Sequence, residues 1–281
     1  MSRSNVGGWA RLSAARPPVG AGAIAAVSAV LVGVYALPDP LRRELSFAYA
    51  EPTLVTAYTA HFVHLTASHL LSNLAAFLVV ATTAYYLSAR AGRAGAFVRL
   101  VATLLVAFPI ALSGLNLAVP RDGVMYGFSG LNMALVGFLP AVIATYVGRR
   151  RDTAIDGAVL LVAFLGSAVY VATVGTPRSG LTDAVVLVAL LSVLAIGLAR
   201  YLAGSDGIGI KIGTAIPVPS RVNGVDAPAV AAVVVWVVFL SIGFPDTVAA
   251  DGRVTNVYVH FLGYALGFIT AYLAYECQLL K

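Results

Sequence analysis

The chain has 281 residues, of which 60% are hydrophobic and only 11% charged, with a formal net charge of +6 and a mean hydropathy of +0.91. That composition excludes a water-soluble globular body, and its apolar residues come in blocks rather than in alternation. The positive charge sits at the ends of those blocks, as membrane topology requires, and not in a basic face for nucleic acid.

Residues 1–18, rich in Arg, Ser, Gly and Pro, predict a flexible inner tail. Apolar runs of spanning length, about 17–25 residues, follow near 19–37, 66–88, 95–115, 129–147, 157–175, 181–202, 227–243 and 254–276. The expected fold is therefore all-α, a polytopic membrane helical bundle of about eight spans over 19–276, with a short inner tail at 277–281.

The first run follows Arg11 and Arg16, and Ala48-Tyr49-Ala50 resembles a leader cleavage site. Those alanines lie about eleven residues beyond the run, too far for the usual arrangement, so the run reads as a retained span. Segment 38–65 mixes Leu41, Leu45, Phe47, Leu54, Val55 and Tyr58 with Arg42, Arg43, Glu44 and Glu51, which suits an element lying in the membrane interface. Segment 203–226, rich in Gly, reads as an inner connector. Its Gly207-Ile208-Gly209 is no nucleotide loop, since no Lys-Ser/Thr and no βαβ pattern accompany it.

With the N-terminus inside, thirteen of the eighteen Lys and Arg fall on the inner side; only Arg42, Arg43, Arg121, Arg178 and Arg253 fall outside. This asymmetry predicts both termini in the cytoplasm, with the triple Arg149–Arg151 as an orientation signal. The single cysteine, Cys277, offers neither a disulfide nor a thiol cluster.

The chemistry-bearing residues gather on the outer side. Ser129 opens the fourth run within Gly127-Phe128-Ser129-Gly130, His260 lies about six residues into the eighth, and His69 and Asn73 lie about three and seven residues into the second. At about 1.5 Å per residue, all four sit within roughly 10 Å of the outer boundary. Three runs separate the serine run from the His260 run, an odd number, so both start on the same side.

A serine hydroxyl needs a base to take its proton, and a neutral imidazole is the usual one. Ser129 and His260 fit those roles. Gly127 and Gly130 permit a tight turn at a helix start, where unpaired N–H groups can receive an oxyanion. His69 and Asn73, spaced i, i+4, share a helical face and can donate to the same oxygen. His260, Gly263 and Gly267 form one stripe, and Gly130, Ala134 and Gly137 offer a matching small stripe on the serine run, so the two helices can press together. Each feature alone has a structural reading: a small-residue helix contact for Gly-x-Ser-Gly, a buried polar pair for His69 and Asn73, a satisfied core residue for His260.

Taken jointly, His64-x4-His69-x3-Asn73, Gly127-Phe128-Ser129-Gly130 and His260-x2-Gly263-x3-Gly267, in that order on separate runs, resemble the rhomboid intramembrane serine proteases over about residues 45–276. The resemblance implies a Ser129–His260 dyad without an acid, and an oxyanion site of His69, Asn73 and the Ser129 amide. It also implies a structural role for His64, a six-span core, and transmembrane protein substrates cut near their outer ends. Two further spans, within 157–243, then lie between the serine and histidine helices. Where many members carry a tyrosine stacking on the histidine, four residues after the serine, this chain has Met133, and segment 38–65 lacks the Trp-Arg pair of some members.

Three rival classes are weighed against this. A metal centre lacks His-Glu-x-x-His and any nearby acid to join His61, His64, His69 and His260, so no metal and no cofactor is expected. Asp122 and Asp251 lie in loops and cap or solvate helix ends. A non-proteolytic relative that binds transmembrane clients would keep the fold, but this chain retains the full set of site residues. A transporter would place charges near the midplane, whereas Asn116, Asp183 and Glu276 lie toward run ends.

Overall fold

The computed structural model describes residues 19–119, 122–152, 155–173, 226–244, 249–250, 253–254, 256–277 and 279. The chain is an all-α membrane bundle. Its elements are α1 (Val19–Tyr35), α2 (Asp39–Glu44), β1 (Phe47–Ala48), α3 (Leu54–Thr59), a 3-10 turn (Ala60–Phe62), α4 (Ala67–Arg90) and α5 (Ala94–Asn116), then β2 (Val124–Met125), α6 (Ser129–Arg151), α7 (Gly157–Thr173), α8 (Ala227–Gly243), β3 (Ala249–Ala250), β4 (Arg253–Val254) and α9 (Val257–Glu276). Among the described residues, α4, α5, α6 and α9 are long and apolar enough to cross a membrane. Helices α1, α7 and α8 are apolar but only 17 residues long. The run at 181–202, the N-terminal tail at 1–18 and residues 203–225 of the connector lie outside the described residues, as do Arg121, Arg178, Asp183 and Asp251.

Local sequence sets the helix starts. Thr66 caps α4 by accepting from the His69 N–H, and Asn256 caps α9 by accepting from the Val259 N–H at 3.0 Å. Such caps satisfy amides that have no partner inside the helix, typically for about 1 kcal/mol each. Helix α6 stops at Asp152, which adopts a left-handed φ of 53°, a conformation that Asp tolerates better than most residues.

Helix α6 is the hub: 94% of its spanning window is buried inside the protein, against 39–44% for α4, α5 and α9. Contacts fix the sense of each neighbour. Asn132 near the start of α6 meets Asn73 near the start of α4, so the two helices run the same way. Gly20 of α1 lies against the Tyr85 ring toward the end of α4, so α1 begins at the end opposite Ser129. Tyr146 donates to Asp226 at 3.0 Å and Arg150 pairs with it at 3.5 Å, so α8 also begins there. Tyr275 donates to the Ile155 carbonyl and Gly157 faces Glu276, which sets α7 antiparallel to α9. The start of α1 and the end of α9 therefore share the end opposite Ser129.

Segment 38–65 folds over the Ser129 end as α2, β1, α3 and the 3-10 turn. Antiparallel pairing of Phe47 with Met125 and Ala48 with Val124 joins it to the loop ahead of α6, and the Gly127 N–H donates to the Ala60 carbonyl at 2.9 Å. Leu54, Val55 and Tyr58 of α3 are exposed, as suits an element resting in the lipid interface.

Candidate active site

Ser129 is the first residue of α6 and is half-buried. Phe128 ahead of it provides no side-chain cap, which leaves first-turn N–H groups for another acceptor. Gly127 has a φ of +114°, and a Cβ there would lie 2.6 Å from His69 Cε1 and 2.9 Å from Nε2. Glycine is required twice over, for the backbone turn and because the His69 ring rests on this peptide.

His69 is half-buried, with its ring edge-on to Tyr126 at 5.6 Å and to His64 at 5.0 Å. Asn73 is buried and donates through Nδ2 to the His69 carbonyl at 3.0 Å. Asn132, one helical turn after Ser129, donates through Nδ2 to the Asn73 carbonyl at 2.9 Å and lies 3.3 Å from Asn73 Oδ1. Because backbone carbonyls only accept, these bonds fix which end of each amide is the NH2. Asn132 thus turns the Asn73 oxygen inward and commits its nitrogen to donating.

His260 is buried in the first turn of α9. Its Nδ1 lies 2.6 Å from the Gly243 carbonyl at the end of α8, and the Phe244 ring stands edge-on to it at 6.3 Å. Since the carbonyl can only accept, Nδ1 carries the proton in the neutral ring and Nε2 keeps its lone pair. The Met133 thioether packs against Gly243, where a Cβ would meet Sδ at 2.6 Å.

The two helices meet by backbone. A Cβ on Gly263 would strike the Gly130 carbonyl, one on Gly267 the Ala134 carbonyl, and one on Gly137 the Tyr264 carbonyl. Gly130 follows Ser129, and Gly263 comes one turn after His260, so the touching point lies directly beneath both side chains. Ser129 and His260 occupy adjoining first turns of two helices in contact. Among the described residues no hydrogen bond joins them.

A polar cluster holds the start of α9. Asn256 Nδ2 reaches Tyr49 Oη at 3.1 Å and Asn116 Oδ1 at 3.4 Å, while Asn116 Nδ2 donates to Tyr49 Oη at 2.7 Å. The sequence reading did not assign Asn132, Gly243, Phe244, Tyr49 or Asn256 to the site. Asn132 carried a usable signal, an amide inside a span at i+3 from the serine. Gly243 and Phe244 carried none, because their role arises from pairing between distant segments.

The other two histidines brace the surrounding segment. His61 Nε2 and Ser113 Oγ are hydrogen-bonded at 3.0 Å, and Ser113 Oγ also reaches the Ala57 carbonyl at 2.7 Å. The His64 carbonyl accepts from Arg42 Nη1 at 2.6 Å. Burial pushes His61 down to about 4 from the ordinary 6.5, and burial together with the neighbouring His69 does the same to His64. Both stay neutral in the folded chain, so between pH 6.5 and about 4 the unfolded chain binds protons that the folded one does not. Stability is expected in full above pH 6.5, to fall as pH drops toward 4 by up to about 3 kcal/mol per histidine, and to level off below. Thermal melting in detergent across that range checks it; His61→Gln should flatten the slope, and an unchanged slope would remove His61 from the account.

Among the described residues no group of three or more His, Cys, Asp or Glu could hold a metal ion. Comparisons with protein-family models, curated proteins and solved structures found no match.

Proposed function

We propose that the chain is an intramembrane serine endopeptidase of the rhomboid type, cutting transmembrane proteins near the outer face of the cell membrane. The observation that carries this reading is the orientation of His260: a buried ring that gives Nδ1–H to a carbonyl, beside the helix whose first residue is Ser129, has its Nε2 left as a base. Ser129 Oγ attacks the scissile carbonyl carbon and its proton passes to His260 Nε2. The charge on the carbonyl oxygen is held by the first-turn N–H groups of α6, by Asn73 Nδ2 and by His69, in a water-poor setting where such donors act most strongly. The C–N bond then breaks as His260 returns the proton to the leaving amine, and water releases the acyl group by the same steps in reverse. Substrate carbonyls bonded within a helix are shielded, so the substrate must unwind locally.

In this reading both termini are cytoplasmic and the site opens outward. The test is the purified protein in liposomes with a single-span reporter. Expected are a cut close to the membrane face that the Ser129 end occupies and labelling of Ser129 by a fluorophosphonate. Reporter binding with neither event would favour a client-binding protein instead.

The orienting role of Asn132 adds a finer expectation. Removing an oxyanion donor outright costs about 10²–10³ in kcat, and loosening one costs less. Asn132→Ala should lower kcat about tenfold with KM nearly unchanged; steady-state cleavage of the reporter decides, and an unaltered kcat would show that Asn73 needs no support.

A further inference from the structure

We infer that the carboxyl end of α8 is the third member of the Ser129–His260 site: the Gly243 carbonyl orients the His260 ring, with Met133 and Phe244 holding that carbonyl in position. The catalytic consequence rests on the protease reading; the geometry does not.

Gly243 is the last residue of α8, so its carbonyl is one of the four that a helix end leaves without a partner inside the helix. Here it receives the His260 Nδ1–H at 2.6 Å. Helix ends of this sense carry a partial negative charge, which suits a ring that becomes positive while it holds the serine proton. In many serine hydrolases a carboxylate fills this place and fixes the tautomer. A backbone carbonyl fixes it equally well, because it cannot donate.

The carbonyl is itself held from two sides. Met133, one turn below Ser129, lies against the Gly243 Cα, close enough that a Cβ would meet Sδ at 2.6 Å and Cε at 3.0 Å. Phe244 is almost fully buried and stands edge-on to the imidazole. At its other end α8 is anchored to α6 through Asp226, which accepts from Tyr146 and pairs with Arg150. The base is therefore oriented by a helix that carries neither catalytic side chain, and Met133 couples that helix to the one bearing Ser129.

Three measurements test this on the full-length protein in detergent. First, ring-15N-labelled histidine should report a neutral His260 protonated at Nδ1. Second, replacing the 243–244 amide by an ester, with the α-hydroxy analogue of Phe244, weakens the Gly243 carbonyl as an acceptor. It should erode that tautomer and lower kcat about tenfold with little change in KM, in line with loss of a hydrogen bond to a charged group. Third, Gly243→Ala should lower kcat by pushing on Met133, and adding Met133→Ala should restore most of it. An Nε2-protonated ring, or an ester that changes neither tautomer nor kcat, would overturn the assignment. A protein that cuts no reporter but shows an Nδ1-protonated, ester-sensitive ring would support the orientation and remove only the protease reading.

Discussion

Ser129→Ala is expected to lower reporter cleavage by about 10⁴-fold or more while leaving the protein folded, because it removes the atom that attacks in the proposed mechanism and nothing that holds the bundle together. The Ser129 side chain is half-buried and sits at a helix start whose packing is carried by Gly130 and Ala134. His260→Ala should cost nearly as much, and the double variant little more than either, since nucleophile and base act as one unit. A substitution far from the site, such as Ser28→Ala in α1, should leave the rate unchanged. Equal cleavage by Ser129→Ala and the parent protein would end the protease assignment.

Gly267→Leu is expected to be the most damaging single change to stability. A Cβ at that position runs into the Ala134 carbonyl and neighbouring backbone atoms, which cannot swing aside as a flexible side chain can. The helices carrying Ser129 and His260 must separate, losing the contact along their shared stripe. Overpacking of this kind costs typically 1–3 kcal/mol; against backbone on both sides, about 3 kcal/mol or more is expected, with activity lost as well. Gly22→Leu in α1, where a Cβ meets nothing within 4 Å, is the matched control and should melt like the parent. Equal melting of Gly267→Leu and the parent would show that α6 and α9 do not need this close approach.

Much of this arrangement is legible in the sequence because bilayers leave few choices. Apolar runs at 66–88, 95–115, 129–147 and 254–276 correspond to α4, α5, α6 and α9, since a span must satisfy its own backbone. Small-residue stripes were readable too, as Gly263 and Gly267 recur on one face and α6 offers a complementary one. What periodicity cannot carry is pairing between segments far apart in the chain. Nothing local to Gly243 announces that its carbonyl meets His260, and nothing local to Asn132 says that its amide reaches Asn73. Segment 38–65 showed its mixed character but not its β1–β2 pairing, because a two-residue ladder leaves no pattern to read.

The enclosure of α6 has a consequence for how this protein responds to its lipid. A helix with 94% of its window inside the protein scarcely samples the acyl chains, so the depth of Ser129 is set by neighbouring helices. Mismatch between bilayer thickness and hydrophobic length, which costs fractions of a kcal/mol per Å, is then expected to be absorbed by tilting of α1, α4 and α5 rather than of α9, whose backbone is pressed against α6. Among these, α4 carries His69 and Asn73. In the proposed protease, bilayer thickness would therefore act on the α4 side chains that receive the oxyanion while Ser129 and His260 keep their depth together, making membrane composition a tuner of turnover.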